Sequence, residues 1–251
     1  LDLDNLWSYL KIHGDAGWEQ RPSYLDLFVP HVLGILDSLG LRITFFVVGV
    51  DAAQEANHPL LRSIVGAGHE IGNHSHEHES WLQTYSQPRL EEEIDRSQEC
   101  IEAATGIVPT GFRGPGFSWS PLLLQILAAR GFQFDASTLP TYLGPLARAY
   151  DFRTSQLTPE EKVARRELFG RFSDGFRPTS AYRWRLPGDT TLLEIPVTTT
   201  PVFKTPFHLS YLLYLSRVSP WIAELYLRTA LALCRLTRTE PSFLLHPLDL
   251  I

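Results

Sequence analysis

Residues 42–48 read Arg-Ile-Thr-Phe-Phe-Val-Val, and this run decides the fold. Its apolar residues are nearly continuous. A strand with one wet face alternates apolar and polar residues, whereas a strand covered on both faces does not. The run is therefore a buried parallel strand, and a parallel neighbour needs a helical crossover on each side. Both are present. Upstream, Tyr24–Leu39 has helical patterning and stops at Gly40; downstream, Pro59–Val65 is helical and stops at Gly66 and Gly68.

The same alternation continues along the chain. Glu70–Asn73 is a short strand, followed by a helix over Pro88–Thr105 with Pro near its start, Glu91, Glu92 and Glu93 in its early turns and Gly106 behind it. Thr110–Arg113 is a strand. Ser118 or Ser120 caps a helix that runs to Arg130 and ends at Gly131. Phe132–Asp135, Leu192–Val197 and Phe243–His246 read as further strands, and Leu1–Asp4 as the end of a first one. About seven β-then-α units predict an α/β fold with a parallel sheet, closed or nearly closed into a barrel; a doubly wound open sheet is the alternative. Thr138–Thr190 interrupts the pattern between the fifth and sixth strands. It is rich in Pro, Gly and Arg, with one expected helix over Pro159–Phe172, and is read as an insertion or lid over the site.

The bulk properties agree with one domain over residues 1–251. The chain has 251 residues, is 44% hydrophobic and 20% charged, and carries a net charge of −6, which excludes a disordered or coiled-coil chain and argues against a nucleic-acid binder. Cys100 and Cys234 are too few for a disulfide framework and are expected as reduced thiols. There is no Met, and the first residue already lies in a strand, so the natural protein is expected to extend N-terminally, with a cytoplasmic location slightly favoured. The apolar stretch Phe207–Leu236 is interrupted by Arg217, Pro220, Glu224 and Arg228. It is expected to form helices on the sheet rather than a transmembrane span, with peripheral membrane or lipid-linked contact as the alternative.

Polar residues that carry chemistry fall at the C-terminal ends of the expected strands, which in a barrel form one rim. Asp2 and Asp4 alternate on one strand and so share a face. His74 and His78 are four apart in His-Ser-His-Glu-His, so one helical turn after the strand would put both imidazoles on one side. Two imidazoles and a carboxylate suit Zn²⁺ or a similar divalent ion. Arg113 precedes Gly114-Pro115-Gly116, a tight loop whose glycines permit close approach of a substrate. Asp135 ends one strand and His246 another.

Taken together these residues resemble the polysaccharide deacetylases of the NodB-homology type, carbohydrate esterase family 4. The resemblance runs from Leu1 to Asp249. It implies a distorted (β/α)7 barrel. It implies that Asp2 is the catalytic base, and that Asp4, His74 and His78 hold one divalent metal, zinc first, with cobalt, nickel or manganese also suited. Arg113 would hold the base, Gly114, Pro115 and Gly116 would wall the substrate groove, and His246 would be the general acid supported by Asp135. The chain differs from the commonest pattern in two ways. Its first motif is Asp-x-Asp rather than adjacent aspartates, as in a subgroup with amidase-like members, and no Trp follows Asp135, Leu139 lying nearby instead. The implied reaction is removal of N-acetyl or O-acetyl groups from a carbohydrate. A hydrolase of small linear or cyclic amides and a non-catalytic sugar-binding domain are the alternatives.

Overall fold

A computed structural model describes residues 1–146, 149, 153 and 170–251. Most of the expected Pro159–Phe172 helix lies outside the described residues. In chain order the elements are α1 (Leu6–His13), α2 (Leu25–Ser38), β1 (Thr44–Val47), α3 (Gly49–Ala52), α4 (His58–Gly66), β2 (Glu70–Asn73), α5 (Gln87–Thr105), β3 (Gly111–Phe112), α6 (Pro121–Ala129), β4 (Phe134–Asp135), β5 (Tyr182–Arg185), β6 (Thr191–Glu194), α7 (Leu209–Val218) and α8 (Pro220–Leu236). The sheet order is β1-β2-β3-β4-β6-β5, parallel throughout except for the β5–β6 pair.

Glycine and phenylalanine interlock on one face of the sheet. Phe46 of β1 stands beside Gly72 of β2, and a Cβ on Gly72 would come within 2.5 Å of the Phe46 ring. Phe134 of β4 covers Gly111 of β3 in the same way. The two phenylalanine rings meet edge to face at 6.4 Å, so large and small residues alternate across the strands and interlock on this face. Leu25, Phe28, Val29 and Val32 of α2 and Leu61 and Ile64 of α4 bury the other face against Phe45, Val47 and Ile71. Leu123 and Leu127 of α6 do the same with Phe112 and Leu192. Ser120 accepts from Leu123 N at 3.1 Å and caps α6.

The first segment meets β1 in an isolated parallel bridge, and the last segment flanks the sheet through scattered hydrogen bonds. Leu3 N donates to Phe46 O at 2.9 Å and Phe46 N to Leu1 O at 2.9 Å, which sets Leu1–Asp4 beside β1. Asp2 N donates to Leu245 O, and Thr198 N, just past β6, donates to Ser242 O, each at 3.0 Å. The expected strand at Phe243–His246 is thus extended chain without a ladder. Pro241 and Pro247 bracket it and supply no N–H at either end. The segment read as one insertion is also divided. Tyr182–Arg185 joins the sheet as the antiparallel edge strand β5, while residues 139–144 turn toward the cavity described next.

Candidate metal-binding active site

Asp2 and Asp4 leave the first segment on the same face, as strand alternation requires. What fixes them is the turn that follows. Asn5 caps α1, and its amide donates to Asp51 Oδ1 at 2.8 Å; Trp7 Nε1 donates to the same oxygen at 3.0 Å. Tyr24 Oη donates to Asp4 O at 2.6 Å. Burial pushes the Asp51 carboxyl up to about 6 against these two donors.

His74 and His78 reach one side without the helical turn expected from their spacing. Ser75 and His78 adopt left-handed backbone, φ 61° and 54°, a costly conformation held where the surroundings over-determine it. Asn73 Oδ1 accepts from Ser75 N at 2.8 Å, Glu93 Oε2 accepts from the N–H groups of His76 and Glu77, and the backbone N–H groups of Gly49 and Val50 hold Ser75 O and His76 O. Gly49 is required here, because a Cβ would come within 2.5 Å of His76 Nδ1. His76 points away from the two ligating rings, toward Glu77 at 3.8 Å.

The result is a compact donor set. Asp4 Oδ1 lies 3.3 Å from His74 Nε2 and 3.0 Å from His78 Nε2, and the three ligand atoms are all within 4.8 Å of one another. Asp4 Oδ1 is buried and accepts no hydrogen bond among the described residues. A buried carboxylate oxygen facing two imidazole nitrogens, with no donor of its own, suits a divalent cation. His74 Nδ1 is fixed from behind by Arg113 O at 2.6 Å, the outer hydrogen bond that orients a ligating imidazole. Arg113 serves Asp2 as well. Its Nη1 meets Asp2 Oδ1 at 2.9 Å, its Nε donates to Ala136 O at 3.0 Å, and its guanidinium lies 4.5 Å over the Phe46 ring.

These residues surround a cavity of about 450 Å³. Asp2, Asp4, His74, His78 and His246 line it, with apolar walls from Phe117, Leu139, Leu143 and Leu248. His246 Nε2 stands 3.9 Å from Asp2 Oδ2 on the side away from Arg113. Of the loop expected to touch substrate, only Gly116 lines the cavity. Pro115 is buried, and Gly114 packs against the Ser118 backbone while its N–H donates to Ser137 Oγ at 2.8 Å.

A model of the polysaccharide deacetylase family matches residues 15–134. That part of the chain is similar to the polysaccharide deacetylases. The chain is 27% identical over 146 residues to a peptidoglycan deacetylase of Helicobacter pylori, covering 55% of this chain and 48% of that protein. It is 32% identical over 107 residues to the uncharacterized protein YlxY of Bacillus subtilis, covering 43% and 31%. A solved structure from Mycobacterium smegmatis assigned to the polysaccharide deacetylases superposes with a TM-score of 0.56 at 25% identity, covering 79% of this chain and 57% of that one. The chain spans about half or less of the length of the curated relatives it matches. The matched segment contains His74, His78 and Arg113; Asp2, Asp4 and His246 lie outside it and join them only in three dimensions.

The structure departs from the sequence expectation in what supports His246. Asp135 is not that residue. It lies in register with Glu194 across β4 and β6, and it accepts from Ser137 Oγ. Burial first, and then the Glu194 carboxylate, push its carboxyl well above the usual range. Glu194 accepts from Thr138 N, Thr138 Oγ1 and Trp184 Nε1, so Asp135 is the partner that carries the proton. The carboxylate beside His246 is Asp249. Its Oδ2 is 3.7 Å from His246 Nδ1, accepts from His246 N at 2.9 Å and is held by Ser210 Oγ at 3.0 Å. The signal for it was the i, i+3 spacing of a capping turn in His246-Pro247-Leu248-Asp249.

The electrostatics of the site separate its titratable groups. Burial alone would raise Asp2, but Arg113, His74 and His246 outweigh it and hold the carboxyl below its ordinary value. Burial would lower His246, but the nearby Asp249 carboxylate and the charges of Asp2 and Asp4 outweigh it and raise the imidazole. His208, which the sequence reading missed, also lines the cavity, 6.3 Å from His246 between ring centroids. Burial lowers it to about 4, so it stays neutral near pH 7.

Proposed function

We propose that this chain is a metal-dependent hydrolase that removes N-acetyl or O-acetyl groups from a carbohydrate. The observation that carries the reading is the meeting of two sets at one cavity, with Asp2 Oδ2 3.9 Å from both His74 Nε2 and His246 Nε2. Asp4, His74 and His78 bring three ligand atoms together, while Asp2 and His246 stand side by side at 3.9 Å. The donor set suits zinc, with cobalt, nickel or manganese as substitutes. When bound, such an ion supplies Lewis acidity toward the acyl oxygen and lowers the pKa of water.

The chain's own residues carry the protons. Asp2, kept ionised by Arg113, takes the proton from the attacking water. His246 gives a proton to the departing amine; Ser210 Oγ lies 3.3 Å from its other nitrogen, and the Asp249 carboxylate at 3.7 Å favours the imidazolium. Base and acid thus have environments tuned in opposite senses. Phe117, Leu139 and Leu143 exclude water around the acyl group.

A second reading, hydrolysis of small linear or cyclic amides on the same residues, is favoured by the modest volume and apolar walls of the cavity. One experiment addresses both. Metal-stripped protein is reloaded with Zn²⁺ or Co²⁺ and assayed for acetate release from N-acetylglucosamine oligomers and for hydrolysis of simple amides and cyclic imides. Acetate release that requires metal and disappears in Asp2→Asn, with metal content retained, supports the deacetylase. Hydrolysis of the small amides alone moves the assignment to the second reading. Silence on every substrate from folded, metal-loaded protein refutes both and leaves a binding domain.

A further inference from the structure

The start of α7 brings to the cavity a hydrogen-bond donor that the proton transfers above do not use. His208 is the N-cap of this helix, and its carbonyl accepts from the N–H groups of Tyr211 and Leu212 at 3.1 and 3.2 Å, which fixes its backbone. The side chain lines the cavity and is only 7% exposed. Its ring stands edge to face with Tyr211 at 5.0 Å and with His246 at 6.3 Å. Neither ring contact satisfies its nitrogens.

The two nitrogens differ. Nδ1 is sealed from solvent and has no hydrogen-bond partner among the described residues. Nε2 is not sealed, and none of the described residues bonds it, so it opens on the cavity. A buried N–H without a partner is rarer and costlier than a buried acceptor without one. The proton therefore belongs on Nε2, and the ring presents one N–H to whatever fills the cavity. Burial keeps the ring neutral near pH 7, so it does not oppose a protonated His246.

His246 marks which part of a ligand meets this donor. It protonates the departing nitrogen, so the carbon skeleton attached to that nitrogen passes beside His208. Phe117, Leu139, Leu143 and Leu248 offer nothing to a polar ligand, so an inward N–H weighs heavily on what can be buried here. A plain alkyl amide would cover Nε2–H and leave it unpaired. An amide with a hydroxyl on the carbon next to its nitrogen pairs it. We propose that His208 is a substrate-binding residue whose Nε2 donates to a hydroxyl vicinal to the scissile amide nitrogen, so that the site selects N-acylated amino sugars over simple amides. The side of the ligand that it meets rests on the hydrolase reading above; the open donor in the cavity does not.

The test uses the full chain reloaded with zinc and two model amides that differ by one hydroxyl, trans-2-acetamidocyclohexanol and N-cyclohexylacetamide. Wild type is expected to favour the alcohol about tenfold in kcat/KM, chiefly through KM. His208→Leu removes the N–H and keeps much of the ring's volume, and the preference should fall to near unity. His208→Gln offers an amide N–H at a similar reach and should restore part of it. A residue that only packs would change both amides alike and leave their ratio unmoved. Circular dichroism and zinc content check each variant. The same pair is titrated against zinc-loaded Asp2→Asn protein, with and without His208→Leu, to read binding apart from turnover. A protein that distinguishes the two amides neither in turnover nor in binding overturns the proposal, and so does a preference that survives in His208→Leu. Hydrolysis of neither amide, together with a hydroxyl preference in binding that His208→Leu abolishes, refutes the hydrolase reading and leaves His208 in its role.

Discussion

Replacing Gly114 by Ala adds one methyl group at the point where the candidate site is most tightly constrained. The new Cβ would lie 2.9 Å from the Ser118 carbonyl carbon and closer still to its oxygen. Both partners are backbone, so residues 113–114 and the 117–118 turn must separate by on the order of 1 Å. Two hydrogen bonds cannot survive that movement: Gly114 N to Ser137 Oγ at 2.8 Å and His74 Nδ1 to Arg113 O at 2.6 Å. Each contributes about 1 kcal/mol, and overpacking costs about 1–3 kcal/mol more, so the variant should lose about 3–5 kcal/mol. Freeing His74 from its outer partner should weaken zinc about 10–100-fold. Denaturant unfolding reads the first quantity and competition with a chromophoric chelator the second. Ser137→Ala removes the Gly114 bond and the Ser137–Asp135 bond but leaves His74 on Arg113 O, and should cost about 2 kcal/mol with little effect on zinc. A Gly114→Ala protein with wild-type midpoint and wild-type zinc affinity would refute the reasoning.

Two further predictions concern proton equilibria. His246 is raised chiefly by Asp249 against burial, and as an acid it works only when protonated, so activity is lost as pH rises through its pKa. Asp249→Asn should move that alkaline limb to lower pH while leaving zinc content unchanged, and an unmoved pH profile would exclude Asp249 from the role. Asp135 is raised well above its ordinary value, so the folded state keeps a proton that the unfolded chain releases above about pH 4. Its contribution to stability is present at low pH and lost as pH rises through the folded pKa. Asp135→Asn keeps the acceptor for Ser137 Oγ and should flatten the decline in melting temperature from acid to neutral pH; an unchanged slope would mean that another group carries it.

The sequence showed most clearly those elements whose ends are marked chemically. Gly40, Gly106 and Gly131 follow α2, α5 and α6, and Ser120 caps α6 through its own side chain. β5 carries a strand signal, Tyr182 and Trp184 alternating with Arg183 and Arg185, but four residues within a segment dominated by Pro and Arg were passed over. Phe243–His246 looked like a strand because its composition is apolar, but a ladder also needs N–H donors, and the flanking prolines remove two. In the site, residue types and order pointed to the donor set, whereas the backbone that delivers it was not legible. The left-handed Ser75 and His78 are stabilised by Glu93 and Asn73, whose roles depend on where α5 packs. Asp135 was paired with the wrong histidine for the same reason: its neighbour Glu194 is adjacent in the sheet and 59 positions away in the chain.

Arg113 joins the two halves of the site through different parts of one residue. Its main-chain oxygen orients His74, and its guanidinium holds Asp2. Changes at Asp2 and at His74 are therefore not independent, although those residues lie on separate segments. Their effects on metal affinity and on turnover should be non-additive in a double-mutant cycle, through Arg113 and through the direct approach of His74 Nε2 to Asp2 Oδ2 at 3.9 Å. A scan of single substitutions would count binding residues and catalytic residues separately; here one strand end makes them a single heritable unit.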